Sequence, residues 1–231
     1  MTLSAIAPLH RTGRWSALSL IVAAQFMVVL DLSIVNVALA SIKSNLGFSS
    51  AGLQWVISAY ALTFGGFLLL GGRAGRTAGR RRLFMTGLTV FTLASALCGM
   101  AASLGMLIGA RVLQGLAGGG LQPSSQAVLL DAFPKEQQGA AQTVFGIAAL
   151  LAPVVGPTLG GYITDNYGWR WIFYINIPTG LLALWMCSKL VHDPDYLRAE
   201  QLAMRKKKRA VRHAWPLPAE PYDDLLGNRA E

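Results

Sequence analysis

Apolar and polar positions along this chain separate into long blocks instead of alternating. From Trp15 to Ile42 there is a single charge, Asp31, and from Ser44 to Gly72, Leu83 to Ala110 and Gln137 to Thr164 there is none. Arg111 opens another run that stays uncharged as far as Leu130, and Trp171 to Ser188 is clean as well. About 20 apolar residues in a helix cross a hydrocarbon layer about 30 Å thick. The blocks therefore predict membrane-spanning helices at 15–39, 51–71, 83–102, 105–130, 139–163 and 170–190. A water-soluble helix needs a polar face, which these runs lack. A cleavable signal peptide has a shorter apolar run than the first block and is not followed by five more. The expected fold class is an all-α membrane protein with six transmembrane helices. The expected organisation is a polar cytoplasmic lead at 1–14, a six-helix transmembrane domain at 15–190, and a basic, disordered cytoplasmic tail at 191–231.

Composition sharpens this reading. Apolar residues make up 53% and charged residues 13% of the chain, against about 25% charged in soluble domains. The net charge of +9 would suit nucleic acid if it were spread over one surface. Its distribution argues for orientation instead. All basic residues except Lys43, Arg111 and Arg170 fall in segments that six antiparallel spans place on one side. Cytoplasmic segments of membrane proteins carry such an excess of Lys and Arg, so both termini are expected in the cytoplasm and the chain in the cell membrane. The tail run Arg205 to Arg209 is read as holding anionic lipid head groups, with no nucleic-acid partner. Trp55, Tyr167, Trp169 and Trp171 mark the expected outer boundary, and Trp15 and Trp185 the inner one.

Chemistry inside the membrane is sparse. Asp31 and Arg111 are the two ionisable residues deep within spans, a placement that costs about 2.5–3.5 kcal/mol on insertion scales, so such groups turn towards a cavity or each other. Counting from the outer ends of spans one and four puts both roughly 10–15 Å below the surface, where they can meet. Asp31 is the candidate proton carrier, with Arg111 setting how tightly the proton is held; a purely structural ion pair is the plainer alternative. Pro153 and Pro157 each remove an amide donor and bend the fifth span, and Gly156, Gly160 and Gly161 flatten the surface beside the bend. Glycines also recur at four-residue spacing at Gly71, Gly75 and Gly79, at Gly105 and Gly109, and at Gly115 and Gly119. Small residues so spaced let helix backbones approach in lipid. No phosphate-cradling loop is implied by the glycines after Gly115, which follow no strand and precede no Gly-Lys-Ser/Thr. Cys98 and Cys187 lack metal-ligand or redox spacing and read as small apolar fillers. His10, His192 and His213 lie in polar ends. No nucleophile–base set, paired carboxylates or metal cluster appears, so neither an enzyme nor a cofactor or metal site is expected.

Several stretches resemble the major facilitator superfamily, and within it the fourteen-spanner drug:proton antiporters. Leu30-Asp-Leu-Ser-Ile-Val-Asn-Val-Ala-Leu39 is similar to that group's first-helix motif. Arg111-Val-Leu-Gln-Gly115 resembles its fourth-helix motif, giving Gln114 and Gly115 a part in proton coupling by resemblance. Gly156-Pro-Thr-Leu-Gly-Gly161 resembles the antiporter motif of the fifth helix, and Trp169-Arg-Trp-Ile-Phe-Tyr-Ile-Asn-Ile-Pro-Thr-Gly180 the stretch leading into the sixth. Between spans two and three the family carries a gating loop with a conserved acid. Here Gly72, Gly79, Arg80 and Arg81 fit its pattern, but Arg76 stands where the acid normally sits and would repel what that acid attracts.

The resemblance implies the N-terminal half of a proton-coupled exporter of small amphipathic compounds, with lipids, protons and substrate as partners. It further implies a truncated chain that works with a second half or with a second copy of itself. A non-transporting membrane polypeptide is the alternative.

Overall fold

The computed structural model describes residues 11–47 and 49–190. They form seven helical segments: α1 (Arg11–Leu46), α2 (Ser50–Ala78), α3 (Arg80–Gly99), α4 (Leu104–Ala132), α5 (Lys135–Tyr167), α6 (Trp171–Tyr174) and α7 (Asn176–Leu190). There is no strand among the described residues. Among the described residues six spans are long and apolar enough to cross a membrane, α6 and α7 together making the sixth. Most of the expected polar lead, the whole basic tail and all three histidines lie outside the described residues.

Most helices overrun the expected spans, although α3 stops at Gly99, short of the expected 102. Hydropathy marks where lipid ends, but a helix continues until its backbone groups find other partners. The hydroxyl of Ser49 accepts from the Gly52 amide at 3.2 Å to start α2, and Ser103 does the same for Met106 at 3.3 Å to start α4; both are N-caps. The outer connection expected near 40–50 is shortened because α1 runs on to Leu46 and turns at Gly47. The basic loop expected between spans two and three is also corrected. Helix α2 runs to Ala78 and α3 begins at Arg80, so Gly79 alone separates them. Its φ of 97° and ψ of 134° are open to glycine at little cost and strained for other residues. In the sixth span, Pro178 has no N–H to offer the Tyr174 carbonyl one turn back, and the helix breaks at Ile175.

Helix pairing follows the small residues. The main partners are α2 with α4, α1 with α5, and α3 with α4. A Cβ on Gly115 would lie 2.5 Å from the Tyr60 carbonyl oxygen, and one on Gly119 2.5 Å from that of Phe64, so α4 meets α2 backbone to backbone. Gly71 of α2 returns the contact, its position lying 3.0 Å from the Gly119 carbonyl. Not every glycine pair behaves so. A side chain at Gly105 or Gly109 would meet no other atom within 4 Å, which corrects the expectation drawn from their spacing.

Two apolar clusters fill the bundle. One gathers Leu18, Ile21, Met27, Phe84, Phe91, Leu121, Leu129 and Phe133. The other gathers Ile34, Ile42, Val56, Leu107, Trp169 and Phe173. Trp169 is 2% exposed and meets Phe173 edge-on, so its ring is packed into the core. The outward faces are apolar too, with Leu69 80% and Leu150 74% exposed. In water that surface would be a liability, whereas lipid accommodates it.

Candidate functional site

Between the two clusters lies a polar layer, and Asp31 is its centre. The chain places it on α1 between Met27 and Val28 of one cluster and Ile34 and Val35 of the other. Two other helices converge on it. Arg111 of α4 forms an ion pair with Oδ2. Gln114, one turn along α4, donates from Nε2 to Oδ1 at 3.1 Å, and Asn176 of α7 donates from Nδ2 to the same oxygen at 3.2 Å. All three partners are donors, the set an ionised carboxylate takes.

The guanidinium is held as fully. Its Nε donates to the Val56 carbonyl of α2 at 3.3 Å, and Nη1 also donates to Gln114 Oε1 at 2.8 Å. Its centre sits 4.1 Å from the middle of the Tyr60 ring, a cation–π distance. Asp31, Arg111, Gln114 and Asn176 are all buried, Arg111 at 0% exposure. Removing two charges from water costs several kcal/mol per ion, and a buried pair persists only where further hydrogen bonds satisfy what the partners leave open. Here the amides of Gln114 and Asn176 and the Val56 carbonyl do that. The structure thus brings together Asp31, Arg111 and Gln114, while Gly115 serves the layer indirectly by seating α4 on α2.

The bend residues form a second element. Gly156 and Gly160 both face α1: a Cβ on Gly156 would overlap the Ser33 side chain, and one on Gly160 would come within 2.7 Å of Ile34. The Ser33 hydroxyl donates to the Pro153 carbonyl at 3.2 Å. Pro153 and Pro157 themselves are exposed, and a Cβ on Gly161 would meet Val37 only at 3.9 Å. The close partner of this motif is therefore α1 of the same bundle.

The basic residues around Gly79 divide. Arg80 pairs with Asp131 at 2.5 Å and also reaches the Ala127 carbonyl at 3.4 Å, both in the last turns of α4. Arg81 donates to the Ser188 carbonyl near the end of α7 at 3.1 Å. Each caps the electronegative C-terminus of a neighbouring helix. Gly72 is exposed, with open space around it. Arg76 sits on helical backbone, and its side chain lies outside the described residues.

Sequence reasoning missed Asn176 and Ser95. Asn176 also donates to the Ser95 hydroxyl of α3 at 2.9 Å, which in turn donates to the Phe173 carbonyl at 2.9 Å. The available signal was a neutral amide in the middle of an uncharged block. No group of three or more His, Cys, Asp or Glu side chains among the described residues is arranged to hold a metal ion.

Residues 21–221 match the family model described as Major Facilitator Superfamily. The puromycin resistance protein pur8 of Streptomyces alboniger is 44% identical over 190 residues, covering 82% of this chain and 38% of that protein. The multidrug export protein EmrB of Escherichia coli (strain K12) is 42% identical over 163 residues, 71% of this chain and 32% of that protein. The cephamycin export protein CmcT of Amycolatopsis lactamdurans is 38% identical, with 80% of this chain and 40% of that protein covered. The chain thus spans well under half the length of these relatives. In fold it is similar to the inward-facing, unoccupied crystal structure of a bacterial homologue of the human lysosomal transporter Spinster. The TM-score is 0.70 at 16% identity, over 80% of this chain and 44% of that one. With its six apolar spans and the family match over residues 21–221, the chain is a multi-pass membrane protein that belongs to the Major Facilitator Superfamily.

Proposed function

We propose that this chain is the N-terminal half of a proton-coupled exporter of small amphipathic compounds, acting in the cell membrane with both termini in the cytoplasm. The observation that carries the reading is the buried Asp31–Arg111 pair, whose partners sit on different helices. A carboxylate at that depth is a functional group by default, because lipid makes it costly to keep. When a proton binds, Asp31 becomes neutral and loses its attraction to Arg111, so the spacing of α1 and α4 changes in energy. Transporters of this architecture move one half against the other around a midplane site, and that coupling is how proton binding would drive substrate outward.

Residues 15–190 form the membrane domain in this reading, flanked by the cytoplasmic lead and the basic tail. A second half completes the substrate path. The substrate class follows from relatives named for puromycin resistance and multidrug export. Pro153, Gly156, Pro157, Gly160 and Gly161 shape the α1–α5 contact that has to survive the motion. Gly79, Arg80 and Arg81 fix the inner end of α3 to α4 and α7, with Gly72 and Arg76 on the helix before them.

The test is drug accumulation in cells expressing the chain, alone and together with the C-terminal half of a relative. Export that requires both halves, stops on adding an uncoupler and is abolished by Asp31→Asn is the expected result. Export that ignores both the uncoupler and Asp31→Asn would sink the proposal.

A further inference from the structure

We propose that Asn176 is a positioning residue for Asp31: from the break in the sixth span it fixes the carboxylate against Arg111. That hold keeps Oδ2 turned towards Arg111. This rests on the proton-carrier reading given above and adds the element that controls it.

The argument begins with how firmly Asn176 is held. It follows the Ile175 break directly, where a free helix end would be mobile. Three contacts with α3 prevent that. The amide donates to Ser95 at 2.9 Å, and Ser95 donates onward to the Phe173 carbonyl at 2.9 Å, closing a loop across the break. The Tyr174 ring occupies the space beside Gly99, and Thr92 the space beside Gly180, where any added Cβ would collide with them. The α6–α7 corner is therefore locked to α3 above and below Asn176.

On the other side, Asn176 reaches across to Asp31 on α1 at 3.2 Å. It shares Oδ1 with Gln114 and leaves Oδ2 to Arg111. A carboxylate free to rotate would exchange its oxygens. One with separate donors on each oxygen keeps its plane. An amide has a fixed geometry and no charge of its own, so it can orient Asp31 without competing for the proton. The titratable groups facing Asp31 are Arg111 from α4, Tyr60 from α2 and Cys98 from α3. Helices α5 and α7 carry Glu136, Asp165 and Lys189 near their ends.

The experiment is infrared spectroscopy of the purified full chain in detergent, following the carboxylate stretching bands. The bands that disappear in Asp31→Asn are assigned to Asp31. Asn176→Ala removes one donor from Oδ1, so these bands shift and broaden as the carboxylate loses its fixed orientation. Ser95→Ala keeps the amide but frees it, and shifts the bands in the same direction by less. Because Ser95→Ala deletes a single hydroxyl, it keeps the test open should Asn176→Ala fail to fold.

Asp31 bands unmoved by either variant overturn the inference while leaving the proton carrier intact. Loss of uncoupler sensitivity in the export assay, by contrast, strikes the underlying reading and not the role of Asn176.

Discussion

The hydroxyl of Ser33 donates to the main-chain carbonyl of Pro153 across the α1–α5 contact, at 3.2 Å. That carbonyl is available because Pro157, one turn further on, has no N–H to give it. A side chain from the first-helix motif thus satisfies a group that the fifth-helix motif leaves open. Removing it in Ser33→Ala is expected to cost about 1 kcal/mol, read as a lower thermal midpoint of the detergent-purified chain. Gly156→Ala should lower the midpoint further, since the new methyl overlaps Ser33. Gly161→Ala should leave it unchanged, because the nearest atom there is 3.9 Å away.

Breaking the buried ion pair should harm folding and transport separately. Asp31→Asn leaves the Arg111 charge without its counter-ion in a site of 0% exposure, at a cost of about 3–5 kcal/mol. Adding Arg111→Gln removes the stranded charge, so the double variant should recover most of the thermal midpoint. It should still show no proton-coupled export. A double variant that exports normally would mean the pair is only structural.

Glycines on α4 should sort by neighbour and not by spacing. Gly115→Ala and Gly119→Ala drive a methyl into α2 backbone and should reduce both yield and melting temperature. Gly105→Ala and Gly109→Ala meet nothing within 4 Å and gain helix propensity of about 0.5–1 kcal/mol. Their midpoints should stay level or rise.

Orientation can be mapped with single cysteines. Both native thiols, Cys98 and Cys187, are buried and should stay silent towards a membrane-impermeant maleimide. A cysteine replacing Lys43 or Tyr167 should react in intact cells, whereas one replacing Lys135 should react only after permeabilisation. The reverse pattern would invert the proposed topology.

Much of this architecture was legible in the residues. Long blocks with at most one charge located all six spans, because lipid penalises a charge unless it is paired. Depth counting put Asp31 and Arg111 at one level, since helical rise is nearly constant. Helix ends were not legible, because polar turns beyond the lipid still hydrogen-bond as helix: α2 continues through Arg73 and Arg76 to Ala78. Asn176 and Ser95 escaped notice for a different reason. A neutral amide or hydroxyl hardly changes the apolarity of a block, and only the packed bundle reveals that both aim inward. Glycine spacing told which residues share a face but not which face has a neighbour, so Gly105 and Gly115 looked alike.

Gly79 carries a mechanical consequence. With one residue between them, α2 and α3 behave like two rods on a single pin, and the pin has only two torsions. Arg80 and Arg81 clamp the α3 rod to α4 and α7, so a tilt of α2 at this end has to be absorbed within Gly79 itself. A bulkier residue there would seize the pin, and the second rod would swing with the first.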